Sequence, residues 1–202
     1  MNFFVTAIGT DSGKTLVSTI LTEMLGADYW KPVQAGIPTD TDIVRSLISN
    51  KKSQFHSERY LLKMPASPHA SARAEGIEIN IDQFEIPKSD RAIIIEGAGG
   101  IFVPLNDQHF VIDLIQKFGC EIVVVSNLYL GSINHTLLTA EALKTRNIPV
   151  KGVIFNGEHN AESEQIILAK TGWRELLHIE KEEIINKAVI LKYAKLLKKN
   201  WK

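Results

Sequence analysis

Short apolar runs alternate with segments of helical periodicity along most of the chain. Residues 3–5, 92–95 and 122–125 are uninterrupted apolar stretches, which are typical of parallel strands buried on both faces. Other segments carry apolar side chains three and four positions apart, as at residues 16–25 and 110–118. Strand and helix patterns that alternate in this way predict an α/β fold: a doubly wound, mostly parallel sheet with helices on both faces.

The C-terminal segment, from Glu182 to about Lys199, carries a wide apolar stripe among many lysines. Its pattern predicts a helix that packs on the sheet and keeps its lysines in solvent. A helix that binds a partner protein is the alternative. The predicted stripe consists of Ile184, Ile185, Ala188, Val189, Leu191 and Leu196.

Composition narrows the classes of function. The chain has no net formal charge and 7% aromatic residues, so no nucleic-acid or membrane-surface binding is indicated and a small-molecule partner is expected. Length and apolar content favour one domain, residues 1–202. The single cysteine, Cys120, cannot form an internal disulfide. Without a signal-peptide pattern or an apolar run of membrane-spanning length, we expect a cytoplasmic protein.

The first candidate for chemistry is the loop between the first strand and the first helix, within residues 7–15. Glycine lets the backbone approach phosphate oxygens, and the following helix offers unpaired N–H groups. Lys14 can neutralise the outer phosphates, and the Thr15 hydroxyl can ligate Mg²⁺. Ile8 stands where the common phosphate-loop pattern has its first glycine. A glycine-rich turn that merely caps a helix is the alternative, but the flanking strand and helix favour a nucleoside triphosphate site.

Polar side chains follow three more predicted strands. Lys31 ends a short strand, Glu96 ends the second buried run, and Asn156 ends a later strand. Ligands of open parallel sheets bind at the carboxyl ends of the strands, so Lys31 can face the phosphates and Glu96 is placed to bind Mg²⁺. The amide of Asn156 suits reading the edge of a base, although an asparagine before Gly157 equally suits a turn.

Two polar clusters open predicted helices. In residues 39–42, either Asp40 or Asp42 can simply favour the positive end of a helix. Residues 130–135 open a helix that runs to about Arg146. Both clusters can therefore be explained by helix capping alone.

Taken together, seven segments resemble the dethiobiotin synthetase family of biotin-pathway ligases, from the first strand to about residue 157. Each segment alone is weak evidence for the family, but the order and spacing of all seven are specific to it. The family's phosphate loop is one residue longer than the common pattern, and Ala7 falls where its first glycine usually stands. The segments are the loop at 7–15, Lys31-Pro32-Val33, Asp42, Ser67-Pro68-His69, Glu96 to Gly100, Leu130 to His135, and Asn156.

The resemblance implies a P-loop NTPase-like ligase that uses ATP and Mg²⁺ to close a cyclic urea from 7,8-diaminononanoate and CO₂. In that chemistry one substrate amine captures CO₂ as a carbamate. The carbamate oxygen then attacks the γ-phosphate, and the second amine displaces phosphate from the resulting carbamic-phosphoric anhydride. Lys14 and Lys31 would be the catalytic cations. A homodimer is also implied, in which each subunit grips the carboxylate of the substrate in the neighbouring site.

By motif match, the resemblance implies three sets of site residues. The metal ligands would be Thr15, Asp42 and Glu96, with Asp11 as a nearby accessory acid. The nucleotide would contact Thr10, Asp11, Ser12, Gly13, Lys14, Thr15, Glu96, Gly99 and Asn156. The substrate would contact Lys31, Ala35, Gly131, Ser132 and Asn134.

Three positions depart from the family pattern. Ala35 stands where a hydroxyl residue often touches the substrate, and Ala7 replaces the first glycine of the loop. Residues 177–180 lack the proline usually found where the last strand leads into the nucleotide pocket, which leaves base selectivity open.

Two other functions stay open at this point. A partitioning ATPase has a similar loop but carries an extra lysine early in it, and no lysine occurs at residues 7–9. A nucleotide-dependent switch that binds a protein and has lost substrate chemistry is the second. The presence of Lys31 and the candidate metal acids argues against such loss, whereas Ala35 leaves room for it.

Overall fold

The computed structural model describes residues 1–201, and over that range the chain forms nine strands, seven α-helices and one short 3₁₀ turn. No helix in this range has the length and apolar character that crossing a membrane requires. The elements are, in order, β1 (Phe3–Ala7), α1 (Lys14–Leu25), β2 (Asp28–Trp30), β3 (Val33–Ala35), α2 (Asp40–Leu47), β4 (Phe55–His56), β5 (Tyr60–Leu62), α3 (Pro68–Ala74), the 3₁₀ turn (Ile81–Gln83), β6 (Ile93–Gly100), α4 (Val111–Phe118), β7 (Glu121–Asn127), α5 (Ser132–Thr145), β8 (Val150–Asn156), α6 (Ala161–Thr171), β9 (Glu175–Ile179) and α7 (Lys187–Asn200).

Seven strands form one sheet in the order β4-β2-β6-β1-β7-β8-β9. Every pair of neighbours in it runs parallel. The strands β3 and β5 form a separate, two-stranded parallel sheet. The α/β fold predicted from the sequence is therefore confirmed.

Helices cover both faces of the large sheet, which explains why its strands are continuous apolar runs. In β1, Phe3 and Val5 belong to a cluster with side chains of α1 and α7, whereas Phe4 belongs to the cluster that contains α4. In β7, Val123 and Val124 likewise lie on opposite faces. A strand buried on both faces has no polar side, so its sequence shows no alternation.

The chain adds strands first on one side of β1 and then on the other. From β1 the chain crosses to β2 on one side, and after β6 it continues on the other side with β7, β8 and β9. Open parallel sheets bind ligands in the crevice at such a switch point, beyond the carboxyl ends of the strands. The loop after β1 emerges at this crevice.

The C-terminal helix exists, but the predicted buried stripe is mostly wrong: Val189 packs partly buried against the core, whereas Ile184, Ile185 and Leu196 are exposed. Asn186 caps α7, because its side-chain oxygen accepts the N–H groups of Ala188 and Val189 at 3.0 and 3.1 Å. Ile184 therefore lies before the helix and is 71% exposed. The face that packs on the sheet consists of residues three and four apart, namely Ile190, Tyr193, Ala194 and Leu197.

Candidate active site

The loop between β1 and α1 is a compact turn that closes on itself. The Ser12 hydroxyl and the Lys14 ammonium group both donate to the carbonyl oxygen of Gly9, each at 3.1 Å. Gly13 has a φ of 97°, a left-handed conformation that glycine adopts without strain. A side chain at Gly13 would also collide with the amide of Asn156. These two constraints explain why glycine directly precedes the lysine of the loop.

A cluster of two carboxylates, a lysine and a hydroxyl lies beside this loop. Glu96, which lies inside β6 rather than at its end, is 1% exposed. Thr15 Oγ1 lies 3.0 Å from Glu96 Oε1 and 2.8 Å from Asp40 Oδ1. Lys31 Nζ forms ion pairs with both carboxylates. On the opposite side, the Tyr29 hydroxyl donates to Glu96 Oε2 at 3.0 Å.

The two lysines of the site have different electrostatic surroundings. Burial lowers the pKa of Lys14 from 10.5 to about 8; Glu96 opposes this shift and Lys31 adds to it. Burial also acts to lower the pKa of Lys31, but the carboxylates of Glu96 and Asp40 outweigh it and raise that pKa above 10.5. Lys31 is therefore a permanent cation, whereas the charge of Lys14 depends on negative groups nearby.

Asp40, not Asp42, is the aspartate of this cluster, whereas the sequence predicted Asp42 as the metal ligand. The Asp42 carboxylate accepts from Arg45 at 2.8 Å and from the Thr39 hydroxyl at 2.7 Å, and its side chain is 60% exposed. Thr39 in turn accepts the N–H of Asp42, so this aspartate belongs to the cap of α2. Residues two positions apart on a helix point about 200° apart, so only one of the two can face the loop.

The loop and the cluster line one cavity of about 750 Å³. This volume lies within the range of known small-molecule sites. The predicted nucleotide, metal and substrate residues that line the cavity are Thr10, Asp11, Gly13, Lys14, Thr15, Lys31, Ala35, Glu96 and Gly99. The cavity also reaches Ser67 and Pro68, at the start of α3.

Other predicted residues lie outside this lining. Asn156 contacts the loop, because its Nδ2 donates to the carbonyl oxygen of Ser12 at 3.0 Å. Gly131, Ser132 and Asn134 stand at the start of α5, after β7, and do not line the cavity. The cavity therefore brings together most of the predicted phosphate-binding residues and the predicted metal ligands Thr15 and Glu96, but neither Asp42 nor the predicted carboxylate-binding segment.

Sequence reasoning missed three functional candidates, Asp40, Gln34 and Tyr29. Gln34 Oε1 accepts the N–H of Asp40 at 3.1 Å, and Gln34 Nε2 donates to the Gly36 carbonyl at 3.0 Å, which fixes the start of α2 beside the cavity. A sequence signal for Asp40 existed. With Thr39 as the cap, Asp40 becomes the first residue of α2, and Asp42 becomes the residue whose N–H the Thr39 side chain accepts.

The family model and the solved structures that resemble this chain identify its fold. The family described as "AAA domain" matches residues 1–189. A ParA family ATPase from Chlorobium tepidum has a TM-score of 0.58 at 11% identity, over 98% of this chain and 92% of that one. A putative plasmid partition protein from Borrelia burgdorferi, bound to AMPPNP, has a TM-score of 0.60 at 13% identity, over 98% and 96%. These structures confirm the P-loop NTPase-like fold and nothing finer.

Sequence relatives are much closer. An ATP-dependent dethiobiotin synthetase from Cytophaga hutchinsonii is 57% identical over 201 residues, which cover 98% of each chain. The protein of the same name from Christiangramia forsetii is 43% identical over 98% of this chain and 96% of its own length. One from Chlamydia felis is 38% identical, over 100% and 96%. Similarity of this extent and coverage shows that the chain belongs to the family of ATP-dependent dethiobiotin synthetases.

Proposed function

We propose that this chain catalyses the ATP- and Mg²⁺-dependent closure of a cyclic urea from 7,8-diaminononanoate and CO₂, which yields dethiobiotin. The observation that carries the proposal is the cluster of Lys31, Glu96, Asp40 and Thr15 beside the loop lysine Lys14, in which Lys31 and Glu96 are buried. The activity in the names of the close relatives supports it. The cytoplasmic location and the single ligase domain expected from the sequence are parts of the same proposal.

Mg²⁺ would be held by Thr15, Asp40 and Glu96. The Thr15 hydroxyl oxygen lies 2.8 and 3.0 Å from an oxygen of each carboxylate, so the three groups offer converging oxygen ligands. This donor set fits Mg²⁺, which binds one or two carboxylates and completes its shell with water and substrate phosphates. When bound there, the ion would offset the negative charge that develops during phosphoryl transfer.

The nucleotide would lie with its phosphates on the loop and on the first turn of α1. Residues 10–15 offer backbone N–H groups there, at the positive end of the helix. Gly99 lies beside this loop, and an added side chain would approach within 3.3 Å of Thr10 Oγ1. Asn156 uses one amide N–H on Ser12, so its other N–H and its oxygen are available for the adenine edge.

Lys31 and Lys14 would hold the negative charge that gathers during the reaction. The carbamate, the transferring phosphoryl group and the anhydride are all negatively charged and would form at the same place in the cavity. Lys31 is protonated and already fixed by Glu96 and Asp40, so it stabilises developing charge without reorganising. Lys14, whose pKa is lowered to about 8 by burial, would be kept protonated by the phosphates it contacts.

The carboxylate of the substrate would be bound by a second copy of the chain. Gly131, Ser132 and Asn134 begin a 14-residue helix whose first-turn N–H groups attract an anion. They do not line the cavity of their own chain. A two-fold dimer in which this segment closes the cavity of the neighbouring subunit would complete two equal sites.

The decisive experiment measures ATP turnover with and without diaminononanoate and bicarbonate. The proposal expects turnover that requires Mg²⁺ and the diamine, with one ADP and one phosphate formed for each dethiobiotin. ATP hydrolysis that is indifferent to the diamine would favour a partitioning ATPase. Nucleotide binding without turnover would favour a protein-binding switch.

A further inference from the structure

Two histidines and a glutamate form a compact group at the end of the sheet formed by β8 and β9. His159 lies before α6, Glu164 in its first turn, and His178 in β9. Glu164 Oε1 is 2.9 Å from His159 Nδ1 and 3.3 Å from His178 Nδ1, and the three ligand atoms all lie within 4.8 Å of one another. The Glu164 side chain is only 6% exposed. The proposed reaction gives none of these residues a role.

The hydrogen bond of His178 Nε2 leaves the Nδ1 lone pair close to this buried carboxylate. His178 Nε2 lies 2.9 Å from the carbonyl oxygen of Gly157, which can only accept, so Nε2 carries the proton. In the neutral ring Nδ1 is then an acceptor, and it is buried without a hydrogen-bond partner. Two acceptors 3.3 Å apart repel each other unless positive charge lies between them. Either a cation or a second proton on His178 would supply that charge.

We propose that His159, Glu164 and His178 bind one divalent transition-metal ion, with Zn²⁺ as the representative. Ligands about 2.0–2.1 Å from a tetrahedral ion lie about 3.3 Å apart. The two separations from Glu164 Oε1, 2.9 and 3.3 Å, are close to that spacing. Two imidazoles and one carboxylate are a ligand set that Zn²⁺ uses with a fourth position left for water, whereas Mg²⁺ prefers oxygen ligands.

Contacts around the group hold two of the three ligands in position. The Gly157 carbonyl orients the ring of His178, as outer hydrogen bonds do for most metal-bound histidines. The backbone N–H of Asn160 donates to Glu164 Oε1 at 3.0 Å and orients that carboxylate. His159, whose side chain is 63% exposed, is the third ligand and closes the site from solvent.

The bound ion would tie the loop between β8 and α6 to β9. That loop starts at Gly157, directly after Asn156, and its first N–H already donates to the carbonyl oxygen of Ile179 at 2.9 Å. The ion would therefore fasten the far end of the same loop. Its binding does not depend on the ligase reaction, so it can be measured without any assay of activity.

The test titrates full-length, metal-stripped protein with Zn²⁺ by calorimetry, and with Co²⁺ by visible absorption, which marks tetrahedral coordination. Excess Mg²⁺ occupies the oxygen ligands of the active site during both titrations. The wild type is expected to bind one tight equivalent. Cys120 offers no competing site, because it is buried and burial raises the pKa of its thiol to about 11.

Two variants and one control locate the ion. His159→Ala removes an exposed ligand, and Glu164→Gln removes the charge while keeping an oxygen for the Asn160 N–H. Each is expected to weaken binding by more than the roughly 10–100-fold that the loss of an outer contact costs. His109→Ala removes a partly buried histidine from another loop and is expected to bind like the wild type.

Two results would overturn the proposal. One is a wild-type protein without a tight equivalent; the contacts would then belong to an ion pair between protonated His178 and Glu164. The other is a tight equivalent that all three variants retain, which would identify an adventitious surface site. Melting curves recorded without metal show whether each variant is folded, and Zn²⁺ should raise the melting temperature only of the wild type and His109→Ala.

Discussion

At the scale of single residues, the partners of Glu96 determine what the cavity can bind. Each of its oxygens has a fixed partner, Tyr29 on one side and Thr15 with Lys31 on the other. Burial, followed by the charge of Glu96, raises the pKa of Tyr29 well above 10, so this hydroxyl remains a donor. A buried carboxylate held in this way cannot turn away from the loop, and it presents its charge at one point of the cavity.

Asp40 and Asp42 offer a matched pair of substitutions on one helix. Asp40→Asn should lower Mg²⁺-dependent turnover by at least about 10²-fold, the scale for the loss of one preorganised charged group. Asp42→Asn should keep turnover and lose at most about 1 kcal/mol of stability, because it weakens only a cap and an exposed ion pair. Steady-state turnover against Mg²⁺ concentration and urea unfolding provide the comparison. Equal losses of turnover in both variants would contradict the assignment of Asp40.

The lowered pKa of Lys14 predicts a pH dependence of stability. Between about pH 8 and 10.5, folded Lys14 loses its proton while the unfolded chain keeps it, so the free energy of unfolding rises with pH. This gain is on the order of 3 kcal/mol over the whole window. Lys14→Met should abolish it, whereas Lys31, whose pKa is raised, stays charged throughout. Urea unfolding of the nucleotide-free wild type and variant across this range is the measurement. Parallel pH profiles for the two proteins would refute the effect.

Most of the site could be predicted from the sequence, because phosphate-binding groups occur in short local sequence patterns. Gly13, Lys14 and Thr15 are adjacent, Lys31 directly follows β2, and Glu96 lies in β6, so both belong to the sheet edge that the sequence predicted. The choice between Asp40 and Asp42 depends on which of them faces the loop, and that follows from the start of α2 at Asp40, directly after the cap Thr39. No local pattern marks Tyr29, because its role depends on strand pairing between β2 and β6.

At the scale of elements, the central strands were predictable and the peripheral elements were not. The runs that became β1, β6 and β7 are apolar because both faces are covered. In contrast, β4 has two residues and β5 has three, too few to show any period. The stripe assigned to α7 shifted because apolar Ile184 and Ile185 precede the cap at Asn186 and mimic a helical face. Capping residues, rather than apolar residues, determined where this helix begins.

Adjacent leucines in α7 test which face of the helix is buried. Leu197 is 0% exposed and Leu196 is 39% exposed. Leu197→Ala should cost about 2–5 kcal/mol of unfolding free energy through lost burial and a cavity. Leu196→Ala is the same substitution in the same helix, so its effect on helix propensity is the same. It should cost no more than about 1 kcal/mol of unfolding free energy. Urea denaturation of both variants provides the values, and a larger loss for Leu196→Ala would contradict the observed packing.

At the scale of the whole molecule, the cavity of one chain contains the groups proposed for phosphate chemistry but not the segment proposed to bind the far carboxylate of the substrate. The cavity is lined by Lys14, Lys31 and Glu96, whereas the segment from Gly131 to Asn134 begins a helix outside that lining. In an isologous dimer, the segment of each subunit would contact the cavity of the other subunit, so the same contact would form twice. The proposed dimer therefore makes a prediction that no single-chain site can reproduce.

Mixing two inactive chains tests whether the active site is shared between subunits. Lys14→Ala removes the phosphate-binding lysine, and Gly131→Trp places a bulky side chain where the backbone has a φ of 109°. Each variant alone should be folded, dimeric and nearly inactive. In a mixed dimer, the intact loop of one chain meets the intact Gly131 segment of the other, so one of two sites is restored. Turnover per verified heterodimer should then reach about half that of the wild type. Heterodimers purified by two different tags and checked by sedimentation give this value directly. If they stay as inactive as their parents, the loop and the Gly131 segment serve one chain's site, and the dimer has no catalytic role.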